Sequence, residues 1–341
     1  MTDFTTIDFH NHIRPKPFLE AVKEERAKPA SQKEAVPGAA KFQERLFTSR
    51  DVPHLKIENT EADALRNLRD SKTDLVVLSL PNASDFGPQS AVKMCKLVND
   101  EWRRIKKENP GKFAALASLP QNSIQDAIIE LDRSVNDLEL DGVTLRTNMD
   151  GAVIDDQRFR PLLEKINDYE LAVLLHPGLP PWGNIAMVEY NLTSLIGFQF
   201  DTVVAATRLM FSGTLDDFPK IKFVLAHLGA GITFLVHRIT AQFHEGAADV
   251  GIKAKKQPLD YVKQQFYFDT ATGDVPTTRF ALQCVYDSAG PERILFGTDY
   301  PWHGSDEIRS LRQSIIDSKN YSDSDKKNML GENAKRILRL N

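Results

Sequence analysis

Five residues with metal-binding or proton-carrying side chains each stand at the end of a short apolar run. His10 and His12 are two apart in Asp8-Phe9-His10-Asn11-His12. On an extended strand alternate side chains share a face, so both imidazoles point the same way, roughly 7 Å apart along the chain. His176 closes Leu171-Ala172-Val173-Leu174-Leu175, and His227 closes Phe223-Val224-Leu225-Ala226 ahead of Leu228-Gly229-Ala230-Gly231. Asp299 follows Ile294-Leu295-Phe296-Gly297-Thr298. Two imidazoles on one strand face make half a metal site. Taken singly, each residue has an ordinary reading: solvated or core histidines, and for Asp299, just before Pro301, a helix cap. What sets them apart is that all five sit where a strand ends.

Positioning them takes a fold that brings those strand ends together. Apolar, β-branched runs recur at Thr6–His10, Asp74–Leu80, Phe113–Ser118, Gly142–Leu145, Leu171–His176, Ile221–Ala226, Phe266–Asp269 and Ile294–Phe296. Several are continuously apolar, as strands buried on both faces are. Between them, Ala62–Asp70, Ser90–Asn109, Ser123–Leu138, Gln157–Asn167, Phe200–Ser212 and Gly231–Gly246 carry apolar residues three and four apart, a helical spacing, and Asn122-Ser123 reads as a cap for the third. Eight strands alternating with helices predict an α/β fold, a (β/α)8 TIM barrel. No G-x-G-x-x-G follows the first strand, as a doubly wound open sheet binding a dinucleotide would have. A closed barrel also gathers strands one, five, six and eight around one mouth. The reading is a single barrel domain over residues 1–341, with a long lid-like insertion at about 14–60 after strand one. A second long connection, Pro177–Phe200, follows strand five, and Tyr321–Asn341 reads as a helix capped by Ser322 or Ser324.

Composition narrows the function classes. The 341 residues include 43 Lys and Arg against 47 Asp and Glu, a net charge of −4, with no basic stripe, which argues against a nucleic-acid partner. No apolar run approaches the roughly 18 residues that span a bilayer, so no membrane partner is expected. Met1-Thr2-Asp3 opens no signal peptide, and Cys95 and Cys284 lie far apart without CxxC spacing, so free thiols and a cytoplasmic location are expected.

The His-x-His of strand one, the histidines of strands five and six and the aspartate after strand eight together resemble the amidohydrolase superfamily of metal-dependent barrel enzymes. The finer resemblance is to its aminocarboxymuconate semialdehyde decarboxylase-like branch. It is carried by Ile7–His12, Leu174–Gly178, Val203–Phe218, Phe223–Gly231 and Ile294–Trp302. The resemblance implies that His10, His12, His176 and Asp299 bind one divalent metal, with His227 beside it as acid or base; Asp299 is the other group that donates the proton in members of the branch. Three imidazoles and a carboxylate suit Zn²⁺, with Mn²⁺ as the alternative. Binuclear members use a carboxylated lysine in strand four. Here Gly142-Val143-Thr144-Leu145-Arg146 has none, which implies a single ion.

Such a site serves two reaction classes: hydrolysis of a lactone, ester or amide, and non-oxidative decarboxylation of a small aromatic or unsaturated carboxylic acid. The resemblance implies the decarboxylase first and the hydrolase as its alternative, with a non-catalytic metal-binding barrel more remote. A carboxylic acid substrate calls for arginines, whose planar fork pairs with carboxylates. The counterpart of Arg238 in the muconate-type decarboxylase reaches a neighbouring subunit's site, which implies a homodimer or higher homo-oligomer. Arg45 and Arg50 loosely resemble loop arginines of the same enzyme, and Arg146 faces the mouth in a barrel. Trp302, with His303 after it, and Trp182 lie where a flat substrate would stack. His54, His237 and His244 read as structural or exposed.

Overall fold

Eight runs too apolar to face water on either side form a parallel sheet wrapped by helices. In the computed structural model, residues 4–28, 60–149, 151–180, 187, 189–246, 250–272 and 275–340 are described. The strands are β1 (Ile7–Asn11), β2 (Leu75–Leu78), β3 (Phe113–Ser118), β4 (Gly142–Arg146), β5 (Ala172–His176), β6 (Lys222–Leu225), β7 (Phe266–Asp269) and β8 (Ile294–Leu295). Each pairs in parallel with the next. The last is joined to the first by Phe9 N to Phe296 O and Asp299 N to His10 O, both 2.8 Å, and by a bridge between Asn11 and Tyr300. The expected eight-stranded barrel is therefore the fold observed.

Alternation along the strands sorts the core into two shells. Ile7, Phe9, Val77, Leu116, Leu174, Val224, Tyr267 and Leu295 pack together as the barrel interior, closed by Ala334, Ile337 and Leu338 of the C-terminal helix. Val76, Val143, Val173, Phe223, Phe268 and Phe296 face outward onto helical residues such as Met94, Trp102, Leu131, Leu163 and Leu209. The helix Pro88–Glu108 begins at a proline, whose missing N–H costs nothing there, and buries Met94, Val98, Trp102 and Ile105 at spacings of three and four.

Two expectations need correction in detail. Ser123 stands at the N-cap position of Ile124–Asn136, but its hydroxyl donates to Asp126 Oδ2 at 2.5 Å and caps no backbone N–H. The tail is not one regular helix. Ser322 does cap it, accepting from Asp325 N, but Asp323–Lys327 passes through a wider turn at Asn328–Glu332 before Asn333–Leu338. Gly331 lies in that turn, where a Cβ would come within 2.5 Å of the Thr5 carbonyl oxygen, so the helix runs hard against the start of β1. A two-residue antiparallel ribbon, Asn148–Met149 with Ala152–Val153, also follows β4. Of the insertion at about 14–60, the described part contains the helix Lys16–Ala27; Arg45, Arg50 and His54 lie outside the described residues, as does Trp182. Among the described residues no helix is long and apolar enough to cross a membrane.

Candidate metal centre

The five residues singled out at strand ends do meet. On β1 the pairing with β2 slips between Asp8 and Asn11. Ile7 and Phe9 belong to the interior cluster, and the slip changes the phase of the strand so that His10 and His12 turn into the mouth; irregularities of this kind re-aim side chains beside active sites. The ring centroid of His10 is 4.7 Å from that of His12, 5.3 Å from His176 and 5.2 Å from His227. Ligand atoms of His10, His176, His227 and Asp299 all lie within 4.8 Å of one another. His12 joins them, its Nε2 2.9 Å from His10 Nε2 and 3.2 Å from Asp299 Oδ1.

Hydrogen bonds behind the rings decide which nitrogen faces the centre. His10 Nδ1 lies 2.8 Å from Asp269 Oδ2, His12 Nδ1 3.2 Å from the Ser79 carbonyl oxygen, and His176 Nδ1 3.1 Å from that of Pro177. The partners of His10 and His12 accept, so their Nδ1 atoms carry hydrogen and their Nε2 atoms turn inward as potential ligands, the usual arrangement behind metal-bound imidazoles; His176 Nδ1 also lies 3.3 Å from Arg146 Nη1, which can only donate. His227 differs: its Nδ1 is buried without a hydrogen-bond partner among the described residues. So is Asp299 Oδ1.

These observations fit a divalent cation. Neutral His10 and His12 would face two lone pairs at each other across 2.9 Å, which calls for a positive charge between them. Zn–N bonds of about 2.0–2.1 Å set neighbouring ligand atoms roughly 3 Å apart. Burial opposes charge on His10, yet Asp269, Asp299 and Asp8 outweigh it and push its pKa up to about 9. Burial lowers His12 and lowers His176 well below the ordinary imidazole value, keeping both neutral. Burial would raise Asp299, but His10, His12 and His227 hold it well below the usual carboxylate range. The cluster is a single divalent-metal site: β4 brings Arg146 and no lysine to the mouth.

Backbone strain sets His227. Residues 227–231 run through φ values of 58, 53, 66, 55 and 96°, a left-handed turn that L residues disfavour by roughly 1–2 kcal/mol each. It is bounded by β6 and the helix Ile232–Gly246. Gly229 is required twice over, because a Cβ there would also meet the Phe268 ring at 2.8 Å.

The family-model match settles the lineage: residues 7–340 match the amidohydrolase model. The chain belongs to the amidohydrolase family. Its similarity runs to the aminocarboxymuconate semialdehyde decarboxylase-like branch. It is 29% identical over 283 residues to the 2-amino-3-carboxymuconate-6-semialdehyde decarboxylase of Dictyostelium discoideum, covering 81% of this chain and 76% of that one. In fold it resembles the 5-carboxyvanillate decarboxylase of Sphingomonas paucimobilis, with a TM-score of 0.86 at 23% identity over 99% of this chain and 100% of the other. A 5-carboxyvanillate decarboxylase from Novosphingobium aromaticivorans, solved as a point mutant with bound manganese, gives 0.84 at 16% identity over 99% and 97%.

For an amidohydrolase barrel, the arginines expected at the mouth fall out unevenly. Arg146 does stand beside the site, but its guanidinium is held by both oxygens of Asp85 and donates to the Pro177 carbonyl at 2.8 Å. It braces the carbonyl that orients His176. Arg238 is exposed on the helix Ile232–Gly246, and Trp302 is exposed just beyond Asp299. His303 lies 3.3 Å from Glu307 at the surface, and His237 is exposed.

Two residues went unnoticed in the sequence. Asp269 at the end of β7 bonds His10, and its place closing Phe266-Tyr267-Phe268 is the same signal that marked His176. Arg14, two residues past His12, is partly buried and has no hydrogen bond or ion pair with any described residue. Burial, with Arg26 nearby, depresses its pKa.

Proposed function

We propose that the chain is a non-oxidative decarboxylase of a small aromatic or unsaturated carboxylic acid, using one divalent ion held by His10, His12, His176 and Asp299. One observation carries the reading: His10 and His12 have their Nδ1–H groups tied down and Nε2 turned inward, and His176 Nδ1 is held by Pro177 and Arg146, whereas Nδ1 of the fourth imidazole, His227, has no partner among the described residues. Three imidazoles turned to the ion and a fourth left to carry a proton suit decarboxylation, and the relatives' names favour it over hydrolysis. Zn²⁺ follows from the donor set, and Mn²⁺ is the ion named with a solved relative.

When bound, the ion acts as a Lewis acid that orients the substrate's oxygen groups. His227 gives its proton to the carbon bearing the carboxylate, forming a C–H bond. The C–CO₂ bond then breaks, its electron pair returns to the conjugated system, and CO₂ leaves. Asp299, held ionised with Oδ2 3.5 Å from His227 Nε2, steadies the ring while it is charged. The substrate carboxylate pairs with a guanidinium, and Arg14 is the one offered here, since Arg146 is occupied by Asp85. Arg238 acts in a homodimer, reaching the neighbouring copy; Phe234, one turn earlier and 77% exposed, supports a covered face there. Trp302 supplies a flat apolar wall.

The test is elemental analysis of protein purified without added metal, followed by CO₂ release from a panel of hydroxybenzoic and unsaturated acids. About one ion per chain and CO₂ from a member of the panel are expected. Cleavage of lactones, esters or amides without CO₂ release would replace the reading with hydrolysis, and a chain that takes up no metal would overturn both. Arg14→Ala should raise KM for the acid by roughly 10-fold to 100-fold, the worth of a hydrogen bond to a charged group, with metal content unchanged. An unaltered KM would remove Arg14 from the site.

A further inference from the structure

We propose that Asp269 is a positioning residue that fixes the metal ligand and the proton carrier in one relation; the assignment of those two roles rests on the function proposed above. Asp269 is fully buried at the end of β7, and its oxygens are divided. Oδ2 accepts from His10 Nδ1 at 2.8 Å. Oδ1 accepts from the backbone N–H of His227 at 2.9 Å and from that of Ala271 at 3.0 Å. One carboxylate thus orients the His10 ring and anchors the first residue of the left-handed turn that carries His227.

The intervening strand is built to permit this. Asp269 and His10 reach each other across β8, over Gly297. A Cβ on Gly297 would lie 2.9 Å from Asp269 Cβ and 3.0 Å from His10 Cβ, so any side chain there would push the pair apart. Thr270 holds the glycine in place, its hydroxyl donating to Gly297 O at 2.9 Å and accepting from Gly297 N at 3.0 Å. An amide cannot replace the carboxylate. Both sides of Asp269 meet N–H donors, so the NH₂ of an asparagine must confront one of them. With its oxygen kept on the two backbone N–H groups, the NH₂ faces His10 Nδ1. The ring then takes the other tautomer and turns Nε2–H into the centre, where a ligand is required.

The experiment compares Asp269→Asn, Asp269→Ala, Gly297→Ala and the wild type for affinity toward Zn²⁺ alone by chelator competition. It adds ¹⁵N-histidine NMR for the tautomer of His10 and kcat at saturating metal. Asp269→Asn should weaken Zn²⁺ by roughly 10-fold to 100-fold, the usual range for removing a partner behind a metal ligand. It should also shift the His10 Nδ1–H signal to the Nε2–H tautomer; Asp269→Ala, which leaves the His227 backbone N–H without its acceptor, should fully loaded still lose at least tenfold in kcat. Gly297→Ala keeps every polar atom and should weaken Zn²⁺ in the same direction. Wild-type affinity in Asp269→Asn, or wild-type kcat in loaded Asp269→Ala, overturns the proposal. Should either Asp269 variant fail to fold, wild-type affinity in Gly297→Ala overturns it. Metal affinity and tautomer are read without substrate, so they stand even if no acid is decarboxylated.

Discussion

Protein carrying His10→Ala is expected to emerge from purification with less than a tenth of an ion per chain and with CO₂ release at background, and Asp299→Ala should behave alike. His10 is the most embedded of the ligands, its side chain fully buried and paired at 2.8 Å with an equally buried Asp269. Its removal takes away an inward Nε2 and leaves that carboxylate without its partner. Breaking a buried pair by deleting one member costs about 3–5 kcal/mol, so a lowered melting temperature should accompany the metal loss. Asp299→Ala removes the only carboxylate in the four-residue ligand group and so the charge that balances the ion. The wild type supplies the companion measurement. With its pKa pushed up to about 9, His10 holds a proton on the nitrogen that must face the metal. Binding displaces that proton, so apparent affinity should rise roughly tenfold per pH unit across neutral pH and level off above about 9. Calorimetry between pH 7 and 10 reads both the affinity and the released proton. Full metal and full turnover in either alanine variant would show the site to be misassigned.

The strands and the five strand-end residues were legible because both signals are local. A continuously apolar run such as Leu171–Leu175 has to be buried on both faces, and the polar residue that ends it has to stand at the rim. What supports those residues was hidden because it is contributed by distant chain. His12 is oriented by Ser79, 67 positions away, and His10 by Asp269, 259 away. Arg146 reads in sequence as a free cation at the mouth; Asp85, 61 residues earlier, takes up its guanidinium. The slip in β1 was equally invisible. Strict alternation places His10 and His12 on a shared face, which is correct, but it cannot say that Ile7 and Phe9 would point into the barrel ahead of them. Asp269 is the instructive omission. It has the same context as His176, and a carboxylate closing an apolar strand is as costly to bury as an imidazole unless something inside the barrel needs it.

His227→Asn should separate binding from catalysis: metal content as in the wild type, KM little changed, and kcat down by about 100-fold or more, the scale of a lost acid–base group. Asparagine suits the test because it tolerates the left-handed conformation at position 227, where φ is 58°, better than most residues, and it keeps the backbone N–H that Asp269 accepts. The turn and the rest of the centre therefore persist while the imidazole is gone. The prediction turns on the contrast among the imidazoles. His10 and His12 spend Nδ1–H on Asp269 and Ser79, and His176 Nδ1 is held between Pro177 and Arg146, which leaves the three Nε2 atoms for the ion; His227 Nδ1 has no such contact among the described residues, and its Nε2 lies 3.5 Å from Asp299. Loss of the metal in this variant would make His227 a ligand, as its closeness to His10, His176 and Asp299 also permits, and the proton would then have to come from Asp299. Near-normal turnover with metal retained would remove His227 from the chemistry altogether. Parallel measurements of metal content and kcat distinguish the three outcomes, because ligand loss abolishes both and proton-carrier loss abolishes only the second.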